Sequence, residues 1–305
     1  MTAAHAWVAP HALRLDVAVS RAAGCSRREA QRHIEAGHVR VDGHLGKKGT
    51  LVAAGASVDV TEPLPDAAAF APVPQPELPL VVLYVDDQLV VVDKAAGQAT
   101  HPLRPHERGT VANAIVARYP ECASASKDTR EGGVTHRLDT DTTGILVAAR
   151  TPAAWTALRE AFAQQHVIKT YEALVVGNPP DRGEIRAPLV SRGKKVRALR
   201  PGEEWTDLAD KTPARDARTD FEVLTRGANV ALVRATAQTG RMHQIRAHLA
   251  HLGHPLVGDT LYGGPPSTNG HLLHASRIVL DLGPTHLDLT CDWPPARKAL
   301  LTALL

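Results

Sequence analysis

Residues 136–144 read HRLDTDTTG, and the acid at the centre of that run, Asp139, is the residue best placed to do chemistry. The run follows Gly132-Gly133 and precedes the apolar Ile145-Leu146-Val147, so Asp139 belongs to a short polar loop feeding a buried strand. Such a loop can point a carboxylate into a cleft. Arg137 stands two residues earlier, and in extended chain the i and i+2 side chains share a face, which would set a guanidinium beside the acid. An ionised carboxylate held that way can act as nucleophile or base. An isolated Arg-x-Asp is equally an ion-paired loop, and the rest of the chain decides between the two.

Other residues carry compatible chemistry. Lys169 and Tyr171 alternate in a strand, which sends both to one face. Residues 241–252 pattern as an amphipathic helix with Ile245, Leu249 and Leu252 as its buried stripe and Arg246 at the edge, where a cation can keep an acid ionised. His248, His251 and His254 recur every three residues, but no carboxylate or cysteine completes a ligand set, so no metal is expected.

The stretch HRLDTDTTGILV resembles the catalytic motif of the RluA-type family of RNA pseudouridine synthases, and four further segments fit that family in order. These are YVDDQLVVVDKAAGQATHP (84–102), Lys169-Thr170-Tyr171, GRMHQIRAHLAHLGHPLVGDTLYG (240–263) and Leu273-His274-Ala275. Ala95 departs from the proline usual there. The resemblance implies isomerisation of uridine to pseudouridine, which breaks a nitrogen–carbon glycosidic bond, turns the freed uracil and rejoins it through carbon 5, with no redox or phosphate cofactor. It implies Asp139 as the catalytic aspartate, by nucleophilic attack or as a base toward the ribose. It implies Arg246 as the cation orienting Asp139, and Tyr171 as the ring stacked on the uracil with a hydroxyl near the carbon 5 proton. It implies Arg137 as the group filling the gap left by the flipped base, and His136, Lys169 and Arg241 as substrate contacts. His136 and His274 are expected as polar supports near the cleft.

The elements that must position these residues follow from local signals. Residues 12–60 carry eight Lys/Arg against five acids, the whole of the net charge of +3. Ser26-Arg27-Arg28-Glu29 is a capping box and Gly37 a left-handed stop, predicting a helix over 27–36 with Ala30 and Ile34 inward; Asp42-Gly43 marks a hairpin. This stretch resembles the small RNA-binding domain first recognised in a small-subunit ribosomal protein, which implies phosphate contacts by Arg27, Arg28, Arg32 and Arg40. Residues 61–79 hold six prolines and read as an extended, semi-rigid spacer, leaving 80–305 as the catalytic domain. Strands are predicted near 80–85, 88–92, 144–149, 167–176, 219–225 and 230–237, with helices from Val111 to Tyr119 and from Pro152 to about Gln165. Residues 185–215 read as a polar, irregular segment with crowded basic residues.

The fold class expected is α+β: a mixed, largely antiparallel sheet with flanking helices forming a catalytic cleft, plus a small α+β RNA-binding domain. A composition of 44% hydrophobic and 22% charged residues suits a globular chain, and no apolar run reaches membrane-span length. Three scattered cysteines (Cys25, Cys122, Cys291) fit a reducing cytoplasm. The expected partner is RNA, ribosomal first and transfer RNA second, with no membrane and the chain acting as a monomer. The rival readings are a non-catalytic RNA-binding or ribosome-assembly protein, and a metal hydrolase built on the histidines.

Overall fold

The computed structural model describes residues 5–61, 67–192, 195–203, 213–283 and 285–305; the side chain of Arg28 and the whole of Lys194 lie outside the described residues. In the small domain, Ser26 and Glu29 close the capping box in both directions, with Glu29 N–H to Ser26 Oγ at 3.2 Å and Ser26 N–H to the Glu29 carboxylate at 2.7 Å. Two reciprocally satisfied donors start the helix Arg27–Glu35 where the sequence places it. Ala30 and Ile34 pack against Leu15, Val19, Val39 and Val58. The hairpin strands Val39–Val41 and His44–Leu45 join a four-stranded sheet with His5–Val8 and Ser57–Val60. Asp42 and Gly43 both have positive φ, the backbone a tight hairpin turn demands.

The larger domain is built on a nine-stranded sheet. Eight strands run in the order Arg182–Arg186, Arg218–Arg226, Val230–Ala237, Ile168–Val176, Leu273–Asp281, Thr143–Ala149, Leu89–Lys94, Val81–Val85; His286–Thr290 also pairs with Leu273–Asp281. Every pairing is antiparallel except Thr143–Ala149 beside Leu273–Asp281, where His274 lies opposite Thr143 and Ala275 opposite Gly144. Alternation assigns the helices to opposite faces. Leu89, Val91, Ile145 and Val147 pack under the helix Pro152–Ala163, while Val90, Val92, Leu146 and Ala148 pack under the helix Val111–Arg118. Covered on both faces, all seven residues of Thr143–Ala149 are buried.

The parallel junction explains the glycine that ends HRLDTDTTG. Gly144 has φ 104°, and a Cβ there would stand 2.3 Å from the Ala275 carbonyl oxygen. Only glycine lets the two strands meet so closely. The polar loop 136–142 therefore enters the middle of the sheet, where two largely antiparallel halves join.

Three segments differ from expectation. Residues 67–79 pack onto the body rather than running away from it as an extended spacer: Phe70 is fully buried, the Gln75 amide oxygen accepts the Gly109 N–H at 2.6 Å, and Asn113 donates to the Val73 carbonyl at 2.8 Å. Guanidiniums of Arg130, from the body, and Arg32, from the small domain, lie 5.9 and 5.8 Å from the Phe70 ring. The polar stretch after 185 forms a hairpin, Leu189–Arg192 with Lys195–Ala198, whose Val196 and Ala198 are buried while Lys195 and Arg197 face outward. Charged outer positions hid its alternation. The helix predicted over 241–252 spans Gln244–His251 and is buried continuously from Gln244 to Leu249 rather than along one stripe, with Leu252 half-buried. Sheet strands and the hairpin both pack against it.

Candidate active site

An open cleft of about 530 Å³ gathers every residue assigned to the body's chemistry: His136, Arg137, Asp139, Lys169, Tyr171, Arg241 and Arg246. Its floor is the loop carrying Asp139. Thr100 grips that loop by accepting the Leu138 N–H at 3.2 Å and donating to the Leu138 carbonyl at 2.9 Å. Lys94, at the end of an apolar strand and 1% exposed, donates all three ammonium hydrogens to the carbonyls of Ala95, Thr140 and Thr142, at 2.8, 2.7 and 2.9 Å. Burial draws its pKa down to about 8, and the carbonyl acceptors favour the protonated form. Thr142 and Thr143 are hydrogen-bonded to His271 and His274, each at 2.8 Å.

Asp139 is held by Arg246. Nη1 of Arg246 donates to Oδ2 at 2.9 Å, while Nε and Nη2 grip both oxygens of the buried Asp259 at 2.7 and 2.9 Å. Two of its three bonds thus lock the guanidinium before the third reaches the site. Burial opposes ionisation of Asp139, but Arg246, joined by His243 whenever its ring is protonated, outweighs it and keeps the carboxyl below its usual range. Its second oxygen, Oδ1, has His243 at 3.7 Å and otherwise faces the cleft.

Arg137 lines the same cleft, but it is exposed and makes no ion pair with Asp139 among the described residues, contrary to the i, i+2 expectation. The loop turns at Thr140-Asp141 instead of running extended, closed by the Thr142 N–H to the Asp139 carbonyl at 3.1 Å. Arg137 is consequently free at the rim. Lys169 and Tyr171 share a face as predicted, although the register shifts between Thr170 and Tyr171. The Lys169 ammonium meets the Phe162 ring at 5.6 Å and makes no hydrogen bond or ion pair among the described residues; burial lowers its pKa. Burial and the Asp139 charge raise that of Tyr171, keeping its phenol protonated.

His136 serves as scaffolding at the cleft wall. Its Nε2 accepts the Val147 N–H at 3.0 Å, and burial with the Lys169 charge drops its pKa to about 3. Arg241 donates through Nε to the Asp216 carbonyl at 3.2 Å. His274 sits outside the cleft lining, stacked on Trp293 at 4.9 Å. His248 spends both ring nitrogens on Thr219 and the Ala187 carbonyl, and His254 bonds the Val176 carbonyl. In the small domain, Arg27 pairs with Asp16 at 2.8 Å while staying exposed, Arg40 is exposed, and Arg32 is the residue laid on Phe70. Lys94, Asp259 and His243 also hold the site, and the sequence does not single them out. The usable signals were a lysine closing an apolar strand and an acid inside the 240–263 signature.

A braced, ionised carboxylate with one open oxygen, beside an aromatic ring and cations that make no ion pair among the described residues, can attack or deprotonate a sugar and hold a base. The model of the RNA pseudouridylate synthase family matches residues 88–251. The chain belongs to that family. Residues 13–58 of the synthase match the S4 domain. Over 259 residues it is 39% identical to an RNA pseudouridine synthase of Chloroflexus aurantiacus, covering 84% of this chain and 77% of that protein. It is 34% identical over 242 residues to ribosomal large subunit pseudouridine synthase D of Yersinia pestis, covering 79% and 70%. The structure of human RNA pseudouridylate synthase domain containing 4 superposes with a TM-score of 0.57 at 25% identity, over 73% of this chain and 92% of that one. The synthase is thus an isomerase acting on RNA, and the reading as a pure RNA binder or metal hydrolase falls away. Among the described residues, no helix is long and apolar enough to cross a membrane.

Proposed function

We propose that the synthase isomerises uridines of large-subunit ribosomal RNA in the cytoplasm, with Asp139 as the reacting carboxylate. The observation carrying the chemistry is the ion pair of Asp139 with a guanidinium already locked by Asp259, which leaves Oδ1 open toward the cleft. The target uridine leaves its stack and enters the cleft, and Tyr171 supplies the surface for its ring. Asp139 either attacks carbon 1′ or removes a proton from carbon 2′; both routes need the anion that Arg246 maintains. The C1′–N1 bond breaks and the uracil anion turns against Tyr171; the C1′–C5 bond forms as Asp139 leaves carbon 1′ or returns its proton to carbon 2′, and a base takes the carbon 5 proton while N1 gains one.

Lys169, Arg137 and Arg241 lie around the mouth without carboxylate partners among the described residues, which suits them to the flanking phosphates. Arg27 and Arg40 extend those contacts onto the small domain. The choice of ribosomal RNA rests on the names of the Yersinia pestis and Xanthomonas campestris relatives, 34% and 36% identical, both ribosomal large subunit pseudouridine synthase D.

The test is to map pseudouridine in ribosomal and transfer RNA from cells lacking the gene, complemented with wild type or Asp139→Asn. Loss of large-subunit sites restored only by wild type is the expected result. Loss confined to transfer RNA would overturn the substrate assignment, and rescue by Asp139→Asn the catalytic one.

A further inference from the structure

His243 precedes the helix Gln244–His251 in a left-handed conformation, φ 52° and ψ 22°, that non-glycine residues seldom adopt. A backbone outlier beside a reacting group points toward a role there. The turn brings the imidazole between two oxygens: Nε2 stands 3.7 Å from Asp139 Oδ1, and Nδ1 3.0 Å from the Tyr262 hydroxyl.

The proton inventory of that chain is constrained. Tyr262 Oη accepts the Val196 N–H of the Leu189–Ala198 hairpin at 3.0 Å and still has its hydrogen to donate to His243 Nδ1. The imidazole proton then sits on Nε2 and faces the carboxylate. The opposite tautomer would aim a lone pair at an anion. The groups facing His243 are Asp139 from the loop, Arg137 at the rim, Arg246 on its own helix, Asp259 behind that arginine, and Tyr262, whose ring also lies 5.1 Å from the Arg246 guanidinium. Burial lowers the His243 pKa more than the acids raise it, consistent with a neutral ring.

We propose that His243 is a positioning residue for Asp139: with its proton fixed on Nε2 by Tyr262, it orients Oδ1 while Arg246 holds Oδ2. This rests on Asp139 being the reacting carboxylate. The 3.7 Å separation exceeds a hydrogen bond, and a closure of less than 1 Å as substrate fills the cleft would bring the pair into range. The hairpin contributes through Val196, so the segment presenting Lys195 beside the site also sets the tautomer acting on the catalytic acid.

The experiment compares His243→Ala, His243→Asn, His243→Gln and Tyr262→Phe in the full chain, by single-turnover pseudouridine formation and RNA affinity, with Asp139→Asn in parallel. A Gln amide reaches where Nε2 lies, whereas an Asn amide reaches only the Nδ1 position. The expected pattern is a rate loss of roughly tenfold to a hundredfold for Ala and Asn, substantial recovery with Gln, unchanged RNA affinity, and a smaller loss for Tyr262→Phe. Nitrogen NMR of the wild-type His243 ring should show the proton on Nε2, a readout independent of turnover. A proton on Nδ1, or Ala as fast as wild type while Asp139→Asn is inactive, would overturn the positioning role alone. An active Asp139→Asn would instead remove the reading beneath it.

Discussion

Arg246 reaches Asp139 at 2.9 Å across 107 residues of sequence, and it arrives already pinned by two bonds to Asp259. The pairing sets both the charge of the reacting carboxylate and the direction of its open oxygen. It also makes Asp259 dependent on Arg246, since Asp259 is 2% exposed and a buried carboxylate left unpaired is costly.

Asp139→Asn preserves shape and removes the anion. Pseudouridine formation should fall by at least roughly a thousandfold while RNA affinity stays within about threefold of wild type. Single-turnover assays with a filter-binding control measure both.

Arg246→Met removes the guanidinium while keeping an apolar stem. Asp259 then loses its partner inside the protein, and stability should drop by about 3–5 kcal/mol in urea unfolding. Any remaining activity should need a higher pH than in wild type. The Asp139 pKa is depressed in the folded state, so its stabilising ionisation is present above the unfolded value of 3.8 and is lost as pH falls through the lower folded value. Without Arg246 that acid limb moves upward.

Lys94 titrates in the other direction. Its folded pKa of about 8 lies below the ordinary lysine value of 10.5, so the folded protein releases this proton first and the cost of burying the charge is relieved, not added, as pH rises through that window. Activity should decline above about pH 8 as the ammonium loses one of the three hydrogens holding the catalytic loop, while unfolding free energy does not decline with it. Lys94→Met should abolish the limb and slow turnover by about a hundredfold, a misplacement effect.

Gly144→Ala tests the parallel junction. With φ at 104° and the Ala275 carbonyl 2.3 Å from the new Cβ, the strands must separate, and a loss of about 3 kcal/mol or more is expected. A melting temperature equal to wild type would show that the junction tolerates a side chain.

On the small domain, Arg40→Ala should lower the slope of log affinity against log salt by about one contact's worth, roughly 0.7–0.9. Arg32→Ala should leave that slope unchanged and lower thermal stability instead, because its guanidinium lies on Phe70. The reverse pattern would place Arg32 among the phosphate contacts.

Local chemistry was legible in the sequence and distant partnership was not. Ser26 starts its helix at Arg27, and the helices expected from Val111 and Pro152 begin there behind the caps Thr110 and Thr151, because a cap is complete within four residues. The cleft residues were legible too, through short motifs. The i, i+2 spacing puts Arg137 beside Asp139 only in an extended loop, and the turn at Thr140-Asp141 that prevents it has no strong glycine or proline signal. Lys94, Asp259 and His243 were missed because each acts through a partner far along the chain or through a backbone state unusual for its residue type. The second strand of the hairpin after Pro188 carries no strong signal, because its buried residues, Val196 and Ala198, are few and small among cations.

Phe70, clasped between Arg32 and Arg130, turns what reads as a tether into a strut. A tethered domain raises the local concentration of any RNA it catches and is indifferent to the shape of that RNA. A strut instead acts as a caliper: an RNA satisfies both domains at once only if its grip point and its target uridine are spaced to match. Choice of uridine then becomes a question of tertiary RNA geometry as well as of the bases around it. Lengthening the chain ahead of Phe70 would leave that caliper intact, whereas Phe70→Ala would unhinge it.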